Sequence, residues 1–224
     1  MTIGILAALD RELEAFKERE AELAARGFLL KTCGVGKVNA ALAACELVHR
    51  HQVKRIIVVG TCASLHIHLR QGRMILATQT RYHDMDASPL GFEAGQIPFA
   101  PQSAWDPDTD LTHALSLALT NAGDQPWMGR MLTGDRFIAS HDEAKRLADA
   151  FGGSALDMET AAVAHACQQL DVHWAAVRIV SDNADEHAPT DFETLIRVAS
   201  RRLVAVILGL QLNGPSTYSK GAGI

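Results

Sequence analysis

Short apolar runs alternate along this chain with longer segments of helical spacing. Thr2 to Leu9 forms the first apolar run and predicts a strand. Asp10 to Arg19 is charged and predicts a helix with Leu13 and Phe16 facing inward. Phe28 to Cys33 predicts a second strand. Gly34-Val35-Gly36 predicts a tight turn into a helix over about Lys37 to His51, whose apolar stripe falls at Val38, Ala41, Leu42, Cys45 and Val48. Arg55 to Val59 carries an IIVV run, short and apolar enough for a central strand buried on both faces. The small residues of Gly60 to Ser64 then predict a sharp turn. Strands follow at Arg73 to Thr80 and Trp127 to Leu132, and helices at Leu111 to Ala122 and about Asp142 to Phe151. The stretch from Ala155 opens on acidic residues around Met158, continues as an alanine-rich helix, and ends in an apolar run, Trp174 to Val180, that stops on Ser181 and Asp182. Pro189 to Leu212 predicts the last long helix, with Phe192, Leu195, Ile196, Ala199, Leu203, Val206, Ile207 and Leu210 on one face.

Strands alternating with helices predict an α/β fold: a three-layer α/β/α arrangement around a central mixed, twisted sheet. There is no internal repeat and no linker. Residues 1–212 read as one domain, and residues 213–224, with turn composition, as a tail expected to fray. One segment breaks the pattern. From Arg81 to about Asp108 the chain is long, aromatic and interrupted by Pro89, Pro98, Pro101 and Pro107, and loops of that length inside a compact domain are usually functional or interfacial.

With 224 residues, 48% hydrophobic and 21% charged, the chain is long enough for a sizeable core. Its formal net charge of −5 offers no basic field to nucleic acid or to an anionic membrane surface. Cys33, Cys45, Cys62 and Cys167 form no CxxC pair and read as reduced thiols. No apolar run approaches a membrane span, and no cleavable leader pattern stands at the start. A cytoplasmic location is the expectation. GVGK at Gly34 to Lys37 lacks the upstream glycine and the following Ser or Thr of a phosphate-binding loop. The His49/His51 and His66/His68 pairs have no carboxylate or cysteine set to complete a metal site.

Three carboxylates stand out. Glu159 and Asp182 lie at the ends of apolar elements, where an unused charge is costly. Glu12 falls just past the first strand, where ligands collect in open α/β sheets. Each also has a plainer reading: Asp182 as a turn cap, Glu159 as an acidic residue in the first turn of a helix, and Glu12 as one of several exposed acids in DRELEAFKERE. Met158 reads equally as core filling.

The sequences LDMET and RIVSDNAD, with IGILAALDRELE at the start, GDRFI at Gly134 and RYHDMDASPLGFEAGQIP at Arg81, resemble the bacterial 5'-methylthioadenosine/S-adenosylhomocysteine nucleosidases of the purine nucleoside phosphorylase superfamily. The resemblance implies a nucleoside phosphorylase-like fold and hydrolysis of an N-glycosidic bond, with no cofactor and no metal. It implies that Asp182, oriented by Ser181, protonates the purine at N7, that Glu12 activates water, and that Glu159 holds the ribose hydroxyls with Met158 packed on the sugar. Asp182 must then keep a proton near neutral pH, which burial favours. Phe137 is implied to stack on adenine and the Ile138 backbone to hydrogen-bond it. Thr61 keeps a hydroxyl at the ribose, and Arg178 supports the site. Leu9 and Phe192 are implied to line the 5' pocket, with Leu90 and Pro98 supplied by the partner of a homodimer through the 81–100 loop.

There are departures. GTCAS stands where GSAGG is usual, so Ala63 and Ser64 narrow the loop. Leu90 replaces a common aromatic, and Asp157 a common glutamate. Two alternatives stay open. Phosphorolysis would need a cationic cradle, but the arginine of hexameric phosphorylases is Val58 here, with only Arg11 nearby. Hydrolysis of another adenine or futalosine-type nucleoside would suit an altered 5' pocket.

Overall fold

A computed structural model describes residues 2–185 and 188–212. Strands β1 (Ile3–Ala7), β2 (Phe28–Thr32), β3 (Arg55–Ser64), β4 (Met74–Tyr82), β5 (Ala104–Trp105), β6 (Trp127–Thr133), β7 (Ala155–Asp157) and β8 (His173–Asp182) form one mixed sheet. The helices are α1 (Glu14–Lys17), α2 (Glu20–Ala25), α3 (Lys37–His51), α4 (Thr109–Asn121), α5 (His141–Phe151), α6 (Thr160–Gln169) and α7 (Ala188–Leu208). The path runs β2-β1-β3-β7-β6-β4-β5, and β8 pairs with both β3 and β4. The strands β3, β8, β4, β6 and β7 therefore close into a ring, and β1 and β2 extend from β3 as a parallel wing.

Side chains alternate across β3, as the pleat requires. Ile57 and Val59 join a core with Leu111 and Leu115 of α4 and Leu203 and Ile207 of α7. Ile56 and Val58 join the opposite core with Ala44 and Leu47 of α3 and Ala161 and Cys167 of α6. The three layers expected from the pattern are those two helix layers on either side of the sheet.

Three local expectations need correction. The GTCAS segment does not turn at Gly60. It continues β3 to Ser64, with Gly60 at φ +132° and a register shift between Cys62 and Ala63. Small residues let a strand bend while its hydrogen bonds persist. The stripe of α3 is only partly right: Val48 packs on the core and Ala41 and Cys45 are half-buried, but its two other members face outward. Val38 is 70% and Leu42 64% exposed, whereas Ala40, Ala43, Ala44 and Leu47 are buried. The close approach of α3 to the sheet selects small residues there, so the larger ones mark the outer face. Asp10 to Arg19 is a 3-10 turn over Asp10–Leu13 followed by the short α1, although Leu13 and Phe16 are buried as expected. The expected tail at 213–224 lies outside the described residues. No helix among the described residues is long and apolar enough to cross a membrane.

The long loop is tied down at its far end. Trp105 stacks on His165 of α6 at 4.7 Å and meets Tyr82 edge-on at 5.3 Å. The Trp105 indole N–H donates to Gln168, which also accepts from Gln102. His165 is thus a packed histidine.

Candidate active site

The C-terminal ends of β1, β3 and β8 and the β7–α6 junction open onto one cavity of about 230 Å³. Glu12 sits at its floor, in the turn after β1, and is 2% exposed. Four donors hold its carboxylate. Ala8 and Leu9 donate backbone N–H groups to Oε2, both at 3.1 Å. Thr61 donates its N–H at 2.7 Å and its hydroxyl at 2.9 Å to Oε1. A bend in β3 at Gly60 makes this possible. A Cβ built on Gly60 would lie 2.5 Å from Glu12 Oε1 and 2.8 Å from Arg178 Nη1.

Arg178, near the middle of β8, is 1% exposed and joins the other acids. Its Nη2 contacts Asp157 at 2.9 Å, Glu159 at 3.3 Å and the Thr160 hydroxyl at 3.2 Å. Its Nη1 donates to the carbonyls of Thr61 at 3.3 Å and Val59 at 3.4 Å. Desolvating a cation costs several kcal/mol. Two carboxylates and two carbonyls offset that, and although burial works against the charge, the carboxylates of Asp157, Glu159 and Glu12 hold Arg178 above its ordinary value. Asp157, the shorter stand-in for glutamate, keeps its own bonds to Thr133 at 2.5 Å and to Thr160.

Glu159 stands at the N-cap position of α6 without a side-chain bond to that helix, and its carboxylate accepts the Gly36 N–H at 3.0 Å. Burial pushes its carboxyl up to about 7, from an ordinary value of 4.5. The Arg178 charge and the Gly36 donor oppose that rise, and the charge of Asp157 adds to it. Four carboxylates, Glu12, Asp157, Glu159 and Asp182, thus share the cavity wall with one buried guanidinium. A wall of that sign favours positive charge developing on a bound molecule.

At the other end of the cavity, Asp182 is 2% exposed. Ser181 Oγ lies 2.7 Å from Asp182 Oδ2 and 3.2 Å from the Cys62 carbonyl, and the Ala184 N–H donates to Asp182 Oδ1 at 3.0 Å. Asp182 therefore both lines the cavity and ties the turn after β8, so the two readings of this residue coexist. Ile138 is buried, whereas Phe137 is 52% exposed and stands edge-on to Phe192 at 6.3 Å.

The cavity brings together Leu9, Glu12, Thr61, Phe137, Ile138, Met158, Glu159, Ser181, Asp182 and Phe192. Leu90 and Pro98 do not line it, and Leu90 is 74% exposed. Sequence reasoning missed Ala8, Val35, Arg136 and Leu156 as lining residues. Arg136 and Val35 sit inside motifs already singled out, GDRFI and GVGK, and their neighbours were the available signal. Ala8 and Leu156 likewise sit inside quoted motifs, IGILAALDRELE and LDMET. At the surface His66 lies with tilted rings against His68 and Trp127, and among the described residues no His, Cys, Asp and Glu cluster is arranged to hold a metal.

Acids gathered at strand ends of such a sheet suit a nucleoside-cleaving fold, and the family model of the phosphorylase superfamily matches residues 2–211. A 5'-methylthioadenosine/S-adenosylhomocysteine nucleosidase of Colwellia psychrerythraea is 31% identical, over 96% of this chain and 98% of its own. The Neisseria meningitidis nucleosidase of the same name, solved in complex with methylthio-immucillin-A, is 30% identical with a TM-score of 0.86, over 93% of this chain and 98% of its own. The chain belongs to the 5'-methylthioadenosine/S-adenosylhomocysteine nucleosidase family within that superfamily. Futalosine hydrolase of Helicobacter pylori, 24% identical with a TM-score of 0.86 over 94% of this chain and 98% of its own, shares the fold.

Proposed function

We propose that the protein hydrolyses the N-glycosidic bond of 5'-methylthioadenosine and S-adenosylhomocysteine, releasing adenine and the 5'-thioribose. The observation that carries hydrolysis over phosphorolysis is the carboxylate of Glu12 at the cavity floor, held by four donors. A phosphate dianion would be repelled there. Val58, where the phosphorylases have an arginine, is fully buried in the core. Arg178 is already engaged by two acids, and Arg136 by Glu143 at 2.6 Å.

In this reading Asp182 donates a proton towards N7, so the purine leaves as a neutral base. Ser181 orients that carboxyl. Phe137 packs on the base, and the Ile138 backbone bonds to it. Glu159 receives the ribose hydroxyls, with Met158 beneath the sugar, and its charge favours the oxocarbenium-like transition state. Glu12 takes a proton from the attacking water. Of its four donors, the Thr61 hydroxyl alone can turn away without moving backbone, so that bond yields to the water. Adenine release from a nucleoside panel in phosphate-free buffer tests this. The expected result is equal turnover with and without phosphate. A thioribose 1-phosphate product would overturn it, and a preference for a nucleoside with another 5' group would redirect it.

A homodimer belongs to the same proposal. The 5' end of the cavity, beside Leu9 and Phe192, is open. Outside the cavity lining the chain exposes apolar residues: Val38 and Leu42 of α3, Leu90, and Phe99 at 92% exposure. A second copy that buried these residues would bring its own Leu90 and Pro98 to the 5' pocket. A cytoplasmic setting fits the four free cysteines.

A further inference from the structure

The two ends of the nucleoside site are tied together by charged groups that none of these roles uses. Two backbone N–H groups at the start of α3 point at carboxylates. Gly36 donates to Glu159 at 3.0 Å, and Lys37 donates to Asp135 Oδ1 at 2.8 Å. Helix starts leave such donors without intrahelical partners, and Gly36, the N-cap at φ +97°, brings no capping side chain. The Lys37 ammonium then reaches both oxygens of Asp84, at 2.6 and 2.7 Å, and lies 3.6 Å from Asp135 Oδ2. Asp84 Oδ2 also accepts the Asp135 N–H at 2.9 Å. Three loops, those after β2, β4 and β6, are thereby closed into one ring of bonds.

The pair is sheltered. The Lys37 side chain is 24% and that of Asp84 18% exposed, and the ammonium also lies 5.3 Å from the centre of the Tyr82 ring. Burial works against the Asp84 charge, but the Lys37 ammonium and the Asp135 amide outweigh it and hold the carboxyl below its ordinary range. Two of the linked loops carry site residues directly. One presents the Gly36 N–H to Glu159, and the other continues from Asp135 to Phe137 and Ile138.

We infer that the Lys37–Asp84 ion pair is a positioning clamp, which sets Glu159 and the Phe137–Ile138 loop at a fixed separation matched to one nucleoside. The inference rests on the proposed hydrolysis, because its consequence is a loss of alignment between ribose and base. Neither residue lines the cavity. Misplacement of a reacting group by ~1 Å can cost about 10²-fold in rate, and a partial loosening costs less.

The test uses Lys37→Met, Asp84→Asn and the double variant, with Lys37→Arg as the conservative change. Kinetics of methylthioadenosine cleavage per folded protein are combined with amide hydrogen exchange over residues 34–38 and 134–138. Each single neutral variant is expected to lower kcat/KM about tenfold, the double variant no further, since the pair acts as a unit. Lys37→Arg should recover most of the loss. Exchange should speed up in both segments together, which a purely local structural role would not produce. Single variants within twofold of the unaltered protein, multiplying losses in the double variant, or faster exchange in one segment only would each overturn the clamp. If the unaltered protein released no adenine, the proposed function would fail, and the paired exchange response would still decide the clamp.

Discussion

The floor of the cavity and its rim are built on opposite plans. At the floor, Glu12, Asp157 and Glu159 sit at strand ends and a helix start, with Arg178 of β8 between them, each at most 8% exposed, and bond mainly to backbone and to each other. At the rim Phe137 is 52% exposed, and beyond it Leu90, Phe99, Val38 and Leu42, which do not line the cavity, are apolar and more than half exposed. One chain supplies everything the floor needs. Large apolar side chains left exposed in this way are open to a partner or a ligand. Bond-breaking chemistry needs preorganised charge in a dry place, and a rigid sheet edge provides it. In the proposed dimer, recognition of the 5' group would fall to surfaces that the second copy completes.

Breaking the floor should have the largest effect. Glu12→Gln keeps the shape and still accepts hydrogen bonds at its one amide oxygen, but removes the base. Turnover should fall by ~10²–10⁴-fold, with binding of a non-hydrolysable adenosine analogue retained. Unchanged turnover would remove Glu12 from the water step. Gly60→Ala comes next. Its Cβ would collide with Glu12 and Arg178 at a φ of +132°, so a stability loss of about 1–3 kcal/mol is expected, with activity down about 10²-fold. Thermal melting and kinetics on the same sample would separate the two losses.

Acid should touch the floor and spare the rim. Glu159 has its carboxyl raised to about 7, chiefly by burial. If the ionised form holds the ribose, kcat/KM should fall about tenfold per pH unit below 7, and that limb should vanish in Glu159→Gln. Asp157, Glu12 and Arg178 also face this group, so the limb tests the whole cluster. Stability moves the other way. Between pH 4.5 and 7 the folded state binds this proton and the unfolded state does not, so the contribution of Glu159 to stability increases as pH falls through that window and is lost as pH rises. A melting temperature that tracked activity downward over the same window would contradict the assignment.

The smallest effect belongs to the rim. Leu42→Asp, on the outer face of α3, should weaken self-association in sedimentation experiments and raise KM for methylthioadenosine a few-fold while leaving kcat nearly unchanged. A monomer with an unaltered KM would show that the rim needs no second copy.

Much of this molecule can be read from its residues alone. The alternation of apolar runs with helical spacing defines the layers, because burial on one face leaves a period in the sequence. Glu12, Glu159 and Asp182 stand out because charge at the end of an apolar element must be accounted for. The tertiary structure decided the rest. Packing distance chose alanines for the inner face of α3 and turned Val38 and Leu42 outward. The bend at Gly60 kept GTCAS in the strand and brought the Thr61 N–H to Glu12. A guanidinium in β8 became the common partner of Asp157 and Glu159, and an ion pair between Lys37 and Asp84 joined two loops that lie far apart in the chain. Local sequence records what each residue prefers. Which distant group it meets depends on how the sheet closes, and no single segment carries that information.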